Sequence, residues 1–280
     1  MKINQKKIRN FTQTIWRYYR LRGRHAMAWR HTRDPYKILV SEVMLQQTQV
    51  SRVEAFYPKF LRAFPNINTL ARTPLKRVLK VWQGMGYNRR AVALHRLAQE
   101  VVKKYKGKLP NRMEALIALP GIGKATAGAI MAYAFNQPVA FIETNVRRVF
   151  INEFFPKATT VDDKEIMQLV ERILDRRNPR EWYWALMDYG AFLATQIENP
   201  NRKSDKYRKQ SKFEGSIRQL RGAVLKVITR DGAVGLHALM AKLAIQRSEK
   251  EVQTVLRKLE MEKFIVQVRG KWQIGGSSLK

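Results

Sequence analysis

The chain has 280 residues, 54 Lys plus Arg against 22 Asp plus Glu, and a formal net charge of +32. A surplus of that size repels itself in a compact fold unless a polyanion is the usual neighbour, so nucleic acid is the expected partner. Cysteine is absent, which excludes disulfides, thiolate-bound zinc and cysteine-bound iron–sulfur clusters. The four histidines, His25, His31, His95 and His237, are scattered singly, and neither a metal nor a cofactor is expected.

The first residues, MKINQKKIRNFTQTIWRYYR, are basic but lack the apolar core of a secretory signal. No apolar run approaches the roughly 20 residues of a spanning helix. These features predict a cytoplasmic, nucleoid-associated protein that does not engage membranes, and a monomer is expected. From residue 11 to about 196 apolar residues recur at three- and four-residue spacings with short turns at Pro, Gly and Asn, which predicts a mainly α fold. Segments 36–50, 88–105, 124–135 and 164–174 read as amphipathic or buried helices. Trp182, Tyr183 and Trp184 lie on a helical segment ending in ALMDYGA, where core packing is the expected role, and Asp188 there reads as structural.

Residues 199–212, NPNRKSDKYRKQSK, are too poor in apolar side chains to pack by themselves and read as a linker or a DNA-facing loop. Beyond it, helical periodicity returns and ends in KFIVQVRGKWQI, two short β-prone runs around an Arg-Gly turn. Three helices followed by a two-stranded wing outline a winged helix-turn-helix. Its candidate recognition helix is SEKEVQTVLRKLE at 248–260, and Arg269, Lys271 and Trp272 stand at the wing. The same outline also fits a small interaction domain. The expected organisation is therefore a domain over 1–198, a basic linker over 199–213 and a winged-helix-like domain over 214–274.

The most informative short segment is LPGIGKATAGAI at 119–130. Gly121 and Gly123 flank Ile122 in a tight turn between two helices, where glycine lets backbone approach a ligand that a Cβ would strike. Backbone N–H groups at the start of the following helix, with Lys124, offer a phosphate site. Between the apolar MEALIAL helix and a Thr-Ala-Gly-Ala helix, this is a strong match to the DNA-binding helix-hairpin-helix.

At this point the chain resembles the endonuclease III-like DNA glycosylases, and within them the A/G-mismatch adenine DNA glycosylases. The resemblance runs from about residue 29 to 190, through DPYKILVSEVMLQQTQV, WQGMGYNRRAVALH, LPGIGKATAGAI, FIETNVRRV and ALMDYGA in order. It implies two helical lobes enclosing a groove, a flipped base in a pocket, and hydrolysis of its N-glycosidic bond in double-stranded DNA that carries a lesion or mismatch. Glu42, in SEVMLQQTQ, falls where these enzymes place the acid that protonates the departing base. Glu143 stands where the family has Asp in an Asp-Gly-Asn-Val context, beside the sugar whose developing positive charge needs a carboxylate. Glu keeps the charge and lengthens the arm by one methylene.

Bifunctional relatives place a Schiff-base Lys two residues past the second hairpin glycine. Here that residue is Ala125, so a monofunctional enzyme without lyase activity is implied. Gln46 and Gln47 match the stretch that enters the duplex at the lesion, Tyr87 lines the same region, and Asn88 replaces a second Tyr frequent in relatives. Arg147 and Arg148 are candidate phosphate clamps or a basic helix face. The polar stretch 199–212 takes the place of the relatives' cysteine-bearing cluster loop, and residues 214–274 are too short and too helical for the domain with which adenine glycosylases recognise oxidised guanine. Three functions stay open: a glycosylase for adenine or another purine, one for thymine or uracil opposite guanine, and a DNA-binding protein without chemistry. A lyase using Lys124 or the N-terminal amine is a further alternative.

Overall fold

The computed structural model describes residues 4–209 and 212–275. Residues 210 and 211 of the expected linker and the N-terminal amine lie outside the described residues. The described chain is mainly helical: α1 (Gln5–Arg22), α2 (Pro35–Leu45), α3 (Val50–Ala63), α4 (Ile67–Arg72), α5 (Leu75–Trp82), α6 (Asn88–Tyr105), α7 (Met113–Ile117), α8 (Lys124–Tyr133), α9 (Thr144–Phe154), α10 (Asp163–Ile173), α11 (Pro179–Gln196), α12 (Ile217–Asp231), α13 (Leu236–Lys242) and α14 (Glu249–Met261), followed by β1 (Ile265–Val268) and β2 (Lys271–Ile274). No helix among the described residues is long and apolar enough to cross a membrane. The chain divides into two compact units, one of Met1–Glu42, Pro110–Ala118 and Ile122–Lys209, the other of Val43–Leu109, Leu119–Gly121 and Gln210–Lys280.

In the first unit α1 begins at an Asn4 side-chain cap and buries Phe11, Ile15 and Tyr19, one residue per turn, towards α11. Phe11 meets Phe150, Phe154 and Trp182 edge-on at centroid distances of 5.5, 5.0 and 6.2 Å. Trp182, Tyr183 and Trp184 are buried in that core, in accord with a packing role. Helix α11 crosses α9 at Gly190, where an added Cβ would stand 2.6 Å from both Cβ and the carbonyl oxygen of Asn145. That contact brings the start of α9 against the middle of α11.

The segment after α11 is not a free linker. Pro200–Lys203 forms a 3-10 turn, Asn201 is buried and donates to the Thr144 carbonyl at 3.0 Å, and Val161 bridges to Ser204. Polar contacts here do the anchoring that apolar side chains do elsewhere, so composition alone reads the stretch as loose.

In the second unit α4 and α5 pack on α6 around buried Phe60, Phe64 and Trp82. The expected helix over 36–50 is interrupted. α2 ends at Leu45, Gln47 takes a positive φ of 52°, and α3 starts at Val50. The cause is Arg90, whose guanidinium donates to the carbonyls of Val43, Met44 and Gln46 at 2.9, 2.7 and 2.6 Å, taking up acceptors that a continuing helix would need. The winged segment forms as expected. Ser248 and Glu251 make a capping box at the start of α14, and β1 pairs antiparallel with β2, Ile265 opposite Ile274 and Val268 opposite Lys271. Val234 adds an isolated antiparallel bridge to β2, exchanging two hydrogen bonds with Trp272. This segment belongs to the same compact unit as α3–α6, and α12 packs on α5.

Candidate active site

Glu42 sits on α2, half-buried, in a helix whose buried residues include Ile38, Leu39, Val40, Val43 and Met44. With little water around its carboxyl, the neutral form is favoured. Burial first, and the charge of Glu143 second, push its pKa up to about 8 against the pull of Arg30. Glu42 therefore carries its proton at neutral pH, the state required of an acid.

Glu143 is the N-cap of α9. Its Oε1 accepts from the backbone N–H groups of Asn145 and Val146 at 2.6 and 2.7 Å, and Oε2 faces the Asn145 amide nitrogen at 3.4 Å. The longer Glu arm thus folds back onto its own helix and meets the first-turn amides that lack an intrahelical partner. Burial raises its pKa, while the two amides, Arg148 and Arg147 oppose the rise. Of the two carboxyls, Glu143 is the one fitted to ionise first, because its donors favour the anion and Glu42 has none beyond Arg30's charge.

Two charged groups frame this pair. Arg30, with only 5% of its side chain exposed, pairs with Asp188 through two bonds of 2.7 and 2.9 Å, and Arg24 adds its backbone and side-chain N–H groups to the same carboxylate. Burial would raise the Asp188 pKa, but Arg30 and Arg24 outweigh it and hold the group ionised. Arg30 also lies 5.4 Å over the Trp184 ring, and Tyr133 stacks on the same ring at 5.8 Å. The Tyr133 hydroxyl is buried with no hydrogen-bond partner among the described residues, and burial, then the charges of Glu42 and Glu143, raise its pKa well above the ordinary value.

Arg147 and Arg148, candidates for a phosphate clamp or a basic helix face, turn their guanidiniums to the protein. Arg147 forks onto Asp163 at 2.8 and 2.7 Å, and Arg148 donates to Asn145 Oδ1 and the Gly190 carbonyl at 2.7 and 2.8 Å. The acidic residue that opens α10 and the Gly190 carbonyl at the buried helix crossing are what recruit them. Both therefore brace the Glu143 turn.

In the hairpin, Gly121 has a φ of +79°, and a Cβ there would meet that of Ala93 at 2.7 Å. Ile122 is buried, and Gly123 is the N-cap of α8 without a side-chain cap of its own. Lys124 and Ala125 stand exposed on that first turn. In the second unit, Gln46, Arg89 and Gly121 line one open cleft with Ala93 and Pro120. Gln47 is exposed, Asn88 half-buried, and Lys271 exposed at the start of β2. Tyr87, 36% exposed, holds a left-handed φ of 48° as the N-cap of α6.

Arg90 escaped the sequence reading although it governs these loops. Besides three carbonyls of the α2 end, it donates to the Thr48 hydroxyl at 2.9 Å and to the carbonyls of Met85 and Gly86, and its guanidinium lies 5.3 Å from the Tyr87 ring and 5.5 Å from that of Trp82. The available signal was a cation at a helix position in phase with Leu94, Leu97 and Val101, which face the core. Asn145, Arg30 and Tyr133 carried no comparable signal.

A helical chain with a glycine hairpin, and with a protonated acid beside a second carboxylate held on backbone amides, defines the class of helix-hairpin-helix DNA repair proteins. The comparisons agree. The family model described as HhH-GPD superfamily base excision DNA repair protein matches residues 40–176. An adenine DNA glycosylase of Buchnera aphidicola subsp. Baizongia pistaciae is 38% identical over 194 residues, 68% of this chain and 54% of that protein. A thymine/uracil-DNA glycosylase of Methanothermobacter thermautotrophicus is 33% identical over 192 residues, 67% of this chain and 86% of that protein. The structure of a thermostable thymine-DNA glycosylase superposes with a TM-score of 0.62 at 31% identity, covering 71% of this chain and 92% of that one. The chain belongs to the HhH-GPD superfamily of base excision DNA repair proteins. It spans about half the length of the adenine DNA glycosylases it matches first.

Proposed function

We propose that the chain is a monofunctional DNA glycosylase of base excision repair. It flips a mispaired or damaged purine, adenine first among them, out of double-stranded DNA and hydrolyses its N-glycosidic bond. The observation that carries this reading is the split between two neighbouring acids, Glu42 held neutral with a pKa raised to about 8 and Glu143 held by two amide donors. Glu42 gives its proton to a ring nitrogen, so the base departs neutral as the C1′–N bond breaks. Glu143, as the carboxylate, stabilises the positive charge left on the sugar until water adds to C1′, the surplus proton of that water passing to the Glu42 carboxylate and restoring the acid. Ala125 offers no amine for a Schiff base, so the reaction stops at the abasic site. The protein acts as a monomer on nucleoid DNA in the cytoplasm, with the hairpin at 121–124 on the phosphate backbone and Gln46, Gln47, Tyr87 and Asn88 at the lesion.

A second reading, thymine or uracil opposite guanine, is favoured by the thymine/uracil relative and the thymine-DNA glycosylase structure, whose lengths this chain covers to 86% and 92%. A duplex panel decides. It carries adenine opposite 8-oxoguanine, guanine or cytosine, hypoxanthine opposite thymine, and thymine or uracil opposite guanine, each scored for strand scission with and without alkali. Alkali-dependent scission at adenine or hypoxanthine supports the first reading, and scission at thymine or uracil alone supports the second. Scission without alkali contradicts the monofunctional assignment, and no base release on any duplex contradicts the glycosylase reading.

A further inference from the structure

The winged segment is usually expected to act as an additional DNA-binding arm, but its contacts point towards Tyr87. Tyr87 occupies a backbone region that side-chain-bearing residues seldom adopt, with φ 48° and ψ 57°, and such a conformation persists only where the surroundings over-determine it. One constraint is the Arg90 guanidinium over its ring. A second is Arg218 on α12, whose Nη1 donates to the Tyr87 hydroxyl at 3.0 Å.

Arg218 is itself fixed. Its second nitrogen reaches the Lys212 carbonyl at 3.5 Å, and α12 is tied to α6 through Glu262, in the turn between α14 and β1. Glu262 receives two bonds from Arg221 of α12, at 3.2 and 2.6 Å, and two from Arg89 of α6, at 3.0 and 2.5 Å. Arg96 of α6 donates to its backbone carbonyl at 3.0 Å. Three arginines from two helices therefore close on one residue, and that clamp sets the position from which Arg218 reaches Tyr87. A cation at a phenol oxygen makes a stronger hydrogen bond than a neutral donor does, and it fixes the plane of the ring.

We propose that Arg218 is a positioning residue: the C-terminal segment, clamped to α6 at Glu262, holds the Tyr87 ring in its reading orientation, so that this segment serves discrimination of the lesion. The proposal rests on the reading of Tyr87 as a lesion contact. A residue that merely binds phosphate would act independently of the Tyr87 hydroxyl, and this gives the test.

Arg218→Met, Tyr87→Phe and the double variant are compared with wild type in single-turnover base release. In parallel, binding is measured to a duplex with a tetrahydrofuran abasic site and to the matched duplex, over a salt series. Each single change is expected to lower the ratio of abasic to matched affinity, and the rate, about tenfold, the scale of one hydrogen bond to a charged group. The double variant is expected to be no worse than the poorer single, and Arg218→Lys to recover part of the loss. Independent, multiplying effects in the double variant overturn the proposal. So does a fall of about 0.9 in the slope of log affinity against log salt for Arg218→Met, the mark of one lost phosphate contact. If wild type releases no base yet still prefers the abasic duplex, and that preference depends on the Arg218 and Tyr87 pair as stated, the glycosylase reading fails and this proposal stands. Thermal melting of each variant confirms that it is folded.

Discussion

Two arginines are nearly buried, and the regions they organise differ in what satisfies them. In the first unit Arg30 meets a full negative charge, Asp188, beside Glu42 and Glu143. In the second unit, among the described residues, Arg90 meets dipoles and ring faces: five carbonyls, one hydroxyl, Trp82 and Tyr87. Burial lowers the Arg90 pKa to about 10, so the ion is still charged at any working pH. A cation paired with a carboxylate among acids moderates their proton affinity, whereas a cation held on carbonyls ties loop ends together and gives them shape.

The comparison is broken most severely at the acids. Glu42→Gln is expected to lower base release by about 10²–10⁴-fold, the range of one proton donor, with DNA affinity changed less than about twofold. Glu143→Gln keeps the cap acceptor and loses the charge, for an expected loss of about 10²–10³-fold in single-turnover rate. Glu143→Asp shortens the arm that folds back on α9. It is expected to lower the rate here, because the Glu carboxylate already meets the amides of Asn145 and Val146. Activity equal to wild type in Glu42→Gln would remove the acid from the mechanism.

Arg90→Met leaves several buried carbonyls without a donor and is expected to cost about 3 kcal/mol, with melting lowered by about 6–12 °C. Its loss of lesion discrimination is expected to exceed its loss of affinity for matched duplex. Arg30→Met strands the Asp188 carboxylate, but Arg24 stays on that group, so a smaller loss of stability is expected. Equal loss of stability in the two variants would erase the distinction between them.

A pH series of thermal melting sharpens the first half of the comparison. Glu42 has an ordinary pKa of 4.5 unfolded and about 8 folded, so between these values the folded chain holds a proton that the unfolded chain has released. Stability from this group therefore falls as pH rises through 4.5 to 8, and the penalty is complete above 8. Glu42→Gln removes the penalty and is expected to melt about 3 °C or more above wild type at pH 8, with no difference near pH 4. The smallest expected effect is at Tyr133, whose buried hydroxyl lacks a partner among the described residues. Tyr133→Phe is expected to stabilise the fold by about 1 kcal/mol in denaturant unfolding.

Legibility in the sequence followed distance along the chain. The hairpin at 119–124, the helix at 88–105, the capped helix after Ser248 and the turn at Arg269 and Gly270 were readable because each depends on neighbours a few residues away. Glu42 and Glu143 were readable only as members of motifs. Their difference in proton affinity comes from burial and from each other, across about a hundred positions. The break after Leu45 was hidden because Arg90, far along the chain, supplies the donors that end α2. The anchored turn at Pro200–Lys203 was hidden because Asn201 packs by hydrogen bonding to Thr144, which composition does not register. For Arg147 and Arg148 the sequence left a phosphate clamp and a basic helix face both open, since their acceptors, Asp163 and the Gly190 carbonyl, are brought up by other helices.

The most direct test of the central claim, that a protonated Glu42 releases the base, is the pH dependence of single-turnover adenine release from a duplex with 8-oxoguanine opposite. The expected rate holds through neutral pH, falls above about pH 8 as Glu42 loses its proton, and lies about 10²–10⁴-fold lower through neutral pH in Glu42→Gln. A rate that keeps rising above pH 8, or that survives intact in Glu42→Gln, would contradict it.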